Sequence, residues 1–344
     1  MTGGDEELRL WAGAGALIVA AALSTGLILL LRPLLRRHAL ARPNARSSHR
    51  EPTPQGGGIA VIAATIVTTV GCVGVLGEMS SAATVEVFAV LAASVFIAVV
   101  GGIDDLRPMP VAPRLMLQIL AIAVVIGAMP IDLRIVPLLP WWAERLCLLL
   151  ALLWFVNLVN FMDGIDWMTV AEVVPLTASV VLLGWLAPIP PQSKILALAL
   201  LGATLGFAPF NKPVAKLFLG DVGSLPVGLL LGWLLLQLAR GGQPAAALLL
   251  PLYYLADASV TLIRRVALGE PFWQAHRSHF YQRACDLGFT VPAIVARVFL
   301  TNLALAGLAF LTAAKHDPIV IVVSLLIGGA LVAWLLASFA IKRH

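Results

Sequence analysis

Charge is scarce in this chain. Asp, Glu, Lys and Arg together make up 12% of its 344 residues, while 60% are hydrophobic. A water-soluble domain usually carries about 25% charged residues, so this composition excludes a soluble globule and indicates a polytopic membrane protein. Cysteine is scarce as well. Cys72, Cys147 and Cys285 stand far apart, with neither disulfide nor metal-ligand spacing, and are read as small core residues. The opening MTGGDEELRL lacks the basic segment and small-residue cleavage site of a secretory leader, so the apolar run after it is expected to be a retained first span. No internal repeat is visible, and no soluble-domain-sized gap interrupts the apolar runs.

What is present is a series of apolar runs of about the length that crosses a bilayer. Pro, Gly and charge clusters divide the chain into spans near 11–31, 58–76, 85–103, 114–129, 144–161, 170–187, 193–210, 223–239, 245–264, 291–313 and 318–341. The expected fold is an all-α polytopic membrane protein of about 11 transmembrane helices, a single integral membrane domain over 1–344. Glycine and alanine at helical spacing within the spans are assigned to close helix packing. With the N-terminus outside and the C-terminus cytoplasmic, most of the 23 Lys and Arg fall in cytoplasmic loops, as basic residues do. Trp141 and Trp142 then sit in an external loop, as an interfacial aromatic belt. The net charge of +5 reports topology and attraction to anionic lipid or phosphate, and no nucleic-acid partner is expected.

In this arrangement the unusual polar clusters all fall at one membrane face: ARPNARSSHREPTPQGGG (41–58), GGIDDLRP (101–108), NLVNFMDGIDWM (157–168), FNKPVAKLFLGDVGS (210–224) and HRSHFYQR (276–283). Asp104 and Asp105 follow an apolar run; neighbouring helical residues point about 100° apart, so one carboxylate is expected to be presented and the other to orient it. An isolated pair of this kind equally fits a solvated helix end. Asp163 and Asp166 share a face if helical, but Gly164 between them suggests a broken helix, tolerated at membrane depth where it lines a polar cavity. Asp221 follows KLFLG, a position where a lone acid is commonly a helix cap. So many acids in half-buried surroundings are unfavourable unless a cation neutralises them or they take up protons. Oxygen donors without cysteine favour Mg²⁺ or Mn²⁺ over Zn²⁺. Arg46, His49 and Arg50 in the first loop and His276, Arg277, His279 and Arg283 in the longest internal loop supply groups suited to phosphate. Acids on one side and Arg and His on the other suit a metal-bound diphosphate.

In combination, RSSHREPTPQGGG, GGIDDL, NFMDGIDW, KLFLGDVGS and HRSHFYQR resemble the polyprenyl-phosphate N-acetylhexosamine-1-phosphate transferases. This membrane family contains the WecA-type enzymes of surface polysaccharide synthesis and the phospho-MurNAc-pentapeptide translocases. The likeness runs in order from about residue 40 to 285. It implies transfer of a sugar 1-phosphate from a UDP-N-acetylhexosamine to undecaprenyl or another polyprenyl phosphate with release of UMP, at the cytoplasmic face of a bacterial inner membrane. It also implies Mg²⁺ held by Asn160 and Asp221, and Asp104, Asp105 and Asp163 as catalytic acids. Asp166, Asn211 and Arg50 fall near the nucleotide, Arg114 near the phosphates, and His276, Arg277 and His279 in a substrate-binding loop. HRSH in place of consecutive histidines, and Trp167 where glycine is common, shift the likeness toward the polysaccharide branch, such as O-antigen initiation. The donor could carry GlcNAc, GalNAc or a 6-deoxy amino sugar; a phospho-aspartate route and a homodimer both stay open. The competing reading, an ion-coupled transporter, would place its acids near the midplane between repeated halves.

Overall fold

In a computed structural model of the chain, residues 3–41, 52–76, 81–132, 134–270 and 276–341 are described, those of 3–12 by backbone alone. Thirteen helices fill them, with one two-stranded hairpin. They are α1 (Gly3–His38), α2 (Gly57–Val75), α3 (Ala82–Leu106), α4 (Val111–Ala128), α5 (Trp141–Met162), α6 (Met168–Leu183), α7 (Pro191–Phe207), α8 (Asp221–Arg240), α9 (Pro244–Leu249), α10 (Leu252–Ala267), α11 (Phe280–Asp286), α12 (Val291–Lys315) and α13 (Pro318–Phe339). The protein is therefore an all-α polytopic membrane protein, as the apolar runs require.

Each expected span has a helix, but they are not eleven equivalent crossings. Eight helices are long and apolar enough to cross a membrane: α1 to α5, α8, α12 and α13. The helices α6 and α7 have 16 and 17 residues, short of the about 20 that a full crossing takes. The span expected over 245–264 is broken into α9 and α10 at Leu250 and Pro251, because proline lacks the N–H of the helix ladder and its ring clashes with the preceding turn. Two elements were not foreseen. Leu40 and Ala41 (β1, Leu40–Ala41) pair antiparallel with Pro54 and Thr53 (β2, Thr53–Pro54), and α11 folds back from the expected loop between α10 and α12, burying Tyr281 and Ala284 completely. Cys147 is exposed, on the outward face of its helix and not in the core as expected. Trp141 and Trp142 are exposed.

The central helix is α8. It packs against α2, α3, α5 and α9, and almost all of it is buried. Its site-bearing end is drawn in by glycine contacts: a Cβ on Gly58 would lie 2.2 Å from the Gly223 Cα, and one on Gly101 only 2.3 Å from the Asp221 carbonyl oxygen. At its opposite end Arg240 Nη1 pairs with Glu86 Oε2 at 2.5 Å, and Gln237 Nε2 donates to the same oxygen at 3.0 Å. A buried charge with its partner and hydrogen bonds in place is tolerable there.

Candidate active site

The ends of α3, α5 and α8 and the turns after α5 and α7 meet around a cavity of about 220 Å³. Six of the residues singled out by sequence line it: Asp105, Asn160, Asp163, Asp166, Asn211 and Asp221. Gln55, Phe218 and Ser224 line it too and were missed, although all three lie inside the quoted motifs. Four carboxylates and, among the described residues, no basic side chain form this wall.

The two acids of the DD pair are held differently. Asp105 accepts the backbone N–H of Asp221 and of Val222, each at 3.0 Å, so it caps α8 from a neighbouring helix and satisfies donors that a helix start leaves open. Gln55 Nε2 donates to the Asp105 carbonyl at 2.9 Å. Asp104 instead accepts from the N–H of Met109 and from Arg114 Nη1 at 2.7 Å. That Arg114 nitrogen also lies 3.9 Å from Asp221 Oδ2, which places one guanidinium between Asp104 and Asp221 at the pocket edge.

On the facing side, Asn160 Nδ2 donates to Asp221 Oδ1 at 2.8 Å and to Ser224 Oγ at 2.9 Å. Asp163 ends α5 and accepts from the Thr169 hydroxyl. Burial pushes its carboxyl up to about 7, the Thr169 hydroxyl pulling it back while the negative charges of Asp221, Asp105 and Asp166 raise it further. Asp166 is buried and accepts from the Ala215 N–H at 2.9 Å. Beyond it lies a second cavity of about 960 Å³, bordered by Arg32, Arg36 and Lys216.

The remaining expected residues fall around this wall. Asn211 is a staple as well as a lining residue, its Oδ1 accepting the Trp167 N–H at 2.7 Å and its Nδ2 donating to the Leu217 carbonyl at 3.1 Å. Trp167 has φ 62°, the left-handed region, which costs a non-glycine residue about 1–2 kcal/mol and explains why glycine is common there. Its indole Nε1 offsets the strain by donating to the Ala208 carbonyl at 2.7 Å. His276, Arg277 and His279 do not line the cavity. Arg277 pairs with Asp286 at 3.2 Å, and His276 shares a 2.8 Å hydrogen bond with Ser278. His279 is buried, its ring stacked 6.3 Å from that of Phe161. Arg50, with Arg46 and His49, lies outside the described residues.

Among the described residues no three His, Cys, Asp or Glu side chains gather at metal-ligand spacing. Mg²⁺, however, is commonly bound by one or two carboxylates together with water and substrate phosphates. A pocket with oxygen donors, surplus acid and, among the described residues, no basic side chain in its wall fits that chemistry, and Asn160 and Asp221, side by side, could hold the ion.

Fold and site together define a multi-pass α-helical membrane protein with an acid-rich pocket at one end of its bundle. Residues 87–239 match the family described as Glycosyl transferase family 4. The chain is 26% identical over 309 residues, covering 83% of itself and 81% of the relative, to a probable undecaprenyl-phosphate N-acetylglucosaminyl 1-phosphate transferase of Bacillus subtilis. It is 28% identical over 312 residues, 77% of this chain and 73% of the other, to a decaprenyl-phosphate N-acetylglucosaminephosphotransferase of Mycobacterium tuberculosis. A shorter likeness, 37% over 112 residues and 32% of each chain, joins it to a phospho-N-acetylmuramoyl-pentapeptide-transferase of Streptococcus pyogenes. The family match spans less than half of this chain and contains GGIDDL, NFMDGIDW and GDVGS.

Proposed function

We propose that the protein transfers N-acetylhexosamine 1-phosphate from a UDP-sugar to undecaprenyl phosphate, or another polyprenyl phosphate, and releases UMP. The reaction is placed at the cytoplasmic face of a bacterial inner membrane, where it would initiate O-antigen or another surface polysaccharide. The observation that carries this reading is the wall of Asp105, Asn160, Asp163, Asp166 and Asp221 with Arg114 at its edge. Relatives named for polyprenyl-phosphate sugar-phosphate transfer support it along most of the chain. Gathering of the acids at one end of the bundle, with no repeated halves, speaks against the transporter reading.

In this reaction an oxygen of the lipid phosphate attacks the sugar-linked phosphorus of the donor. The bond from that phosphorus to the bridging oxygen breaks, leaving a lipid diphosphate sugar and UMP. Mg²⁺, held by Asn160 and Asp221, would offset the charge of the donor diphosphate. Arg114 brings a fixed guanidinium to the same edge and stabilises the charge that develops as UMP leaves. A lipid phosphate is already largely ionised near neutral pH, so no strong base is needed. Asp105, tied to two N–H groups, acts by setting the start of α8, and Asp104 by orienting Arg114. With both acids so engaged, direct displacement is favoured over a phospho-aspartate intermediate. Asp166, fixed against the 215 backbone, borders the nucleotide.

The test is UMP release by the purified protein from a panel of UDP-sugars with undecaprenyl phosphate, with mass measurement of the lipid product. At least one UDP-N-acetylhexosamine is expected to give UMP and a lipid heavier by one sugar phosphate, in Mg²⁺ and not in EDTA. No UMP from any such donor overturns the proposal. Arg114→Lys keeps the charge but loses the planar guanidinium whose Nη1 lies near both acids. Its turnover is expected to fall about tenfold, the effect of losing one charge-assisted hydrogen bond of about 1.5 kcal/mol; wild-type turnover would remove Arg114 from the phosphate path.

A further inference from the structure

Behind the pocket lies an acid with no part in the chemistry above. Asp257 is completely buried in α10, inside the apolar run YYLADASV, and a buried acid is costly enough to demand a reason. Its Oδ1 accepts the Phe280 N–H at 3.0 Å and the Thr261 hydroxyl at 3.4 Å; its Oδ2 accepts the Tyr281 N–H at 3.2 Å and the Tyr253 hydroxyl at 3.1 Å. His279 Nδ1 lies 3.4 Å from Oδ1. Phe280 and Tyr281 open α11, and the residue before them, His279, makes no side-chain cap. Asp257 thus supplies from another helix the oxygens that a capping residue would normally supply.

From that anchored start, α11 reaches the pocket wall. The Tyr281 hydroxyl donates to the Phe161 carbonyl at 2.9 Å, in the last turn of α5. The same hydroxyl sits so close to Gly164 that a Cβ there would lie 2.1 Å from it. Burial pushes the Tyr281 phenol well above its ordinary value, the Asp257 charge adding to it, so the group stays a donor. Phe161 and Gly164 bracket Asp163. Between anchor and wall, the His279 ring stacks on both Phe161 and Tyr281, with centroids 6.3 and 5.9 Å away.

We infer that Asp257 is a positioning residue: it anchors α11 so that Tyr281 holds the 161–164 turn, and with it Asp163, in place in the pocket. This rests on the transferase reading for its kinetic consequence and on geometry alone for its mechanical one. His279 acts as the packed spacer of the same device.

The experiment is a double-mutant cycle with Asp257→Asn and Tyr281→Phe, read by UMP release and by hydrogen exchange of the 161–166 backbone in the full-length protein. Each single change is expected to lower kcat about ten- to a hundredfold, the usual effect of losing a group that orients an active-site residue, with KM for the donor moved much less. The double variant should be little worse than Asp257→Asn, since both act along one path. Exchange at 161–166 should quicken in both single variants, while that of α8 stays unchanged. Additive losses, wild-type kcat in Tyr281→Phe, or unchanged exchange at 161–166 would overturn the inference. Should the wild type release no UMP, the transferase reading falls and the exchange result alone decides this one.

Discussion

Asp221→Ala is expected to lower UMP release by about a thousandfold, the scale seen when a preorganised electrostatic partner of the reacting group is removed. Its carboxylate is the point where three elements meet: α8 carries it, Asn160 of α5 donates to it, and Arg114 of α4 lies 3.9 Å away. Alanine leaves the backbone N–H of residue 221 free to bond Asp105 as before, so the helix start survives. The loss should therefore appear in turnover and in the Mg²⁺ concentration needed for half-maximal rate, with the thermal midpoint of the detergent-solubilised protein little changed. Full turnover by this variant would place the metal elsewhere.

The second large effect is expected from a residue with no functional group. Gly101→Ala would set a Cβ 2.3 Å from the Asp221 carbonyl oxygen and 2.5 Å from its carbon, distances that only a backbone shift relieves. Overpacking of this kind costs about 1–3 kcal/mol, and a displacement near 1 Å at a reacting group costs about a hundredfold in rate. Turnover should fall by about that factor and the thermal midpoint should drop. Its neighbour supplies the control. A Cβ on Gly102 meets only the Val222 side chain, at 3.5 Å, so Gly102→Ala should stay near wild type in both measurements. Equal behaviour of the two variants would show that the α3–α8 approach does not set the site.

What the sequence made legible was whatever local chemistry decides. An apolar run long enough to cross lipid is helical whatever surrounds it, so every expected span has its helix. GGIDDL, NFMDGIDW and GDVGS do meet at one pocket. Tertiary partnership was not legible. Nothing in GGIDDL tells that Asp105 would cap another helix while Asp104 held Arg114. The inward turn of His279 needed a partner twenty-two residues earlier, Asp257. That partner gave a signal that could have been used, since an acid alone in an apolar span asks for one. The break at Pro251 was equally readable from the proline rule, whereas α10, which begins after it, only acquires meaning once α11 is seen packed against it.

The burial of α8 has a consequence for how the protein fails. Its neighbours enclose it nearly all round, while α1, α4 and α13 turn much of their surface outward. Amide protons along α8 should then be the last to exchange, and stripping the outer rods away by harsh surfactant should precede any disturbance of the scaffold bearing Asp221. Inactivation on extraction would begin at the periphery, at the anchorage of α4 and its Arg114, and reach the centre last.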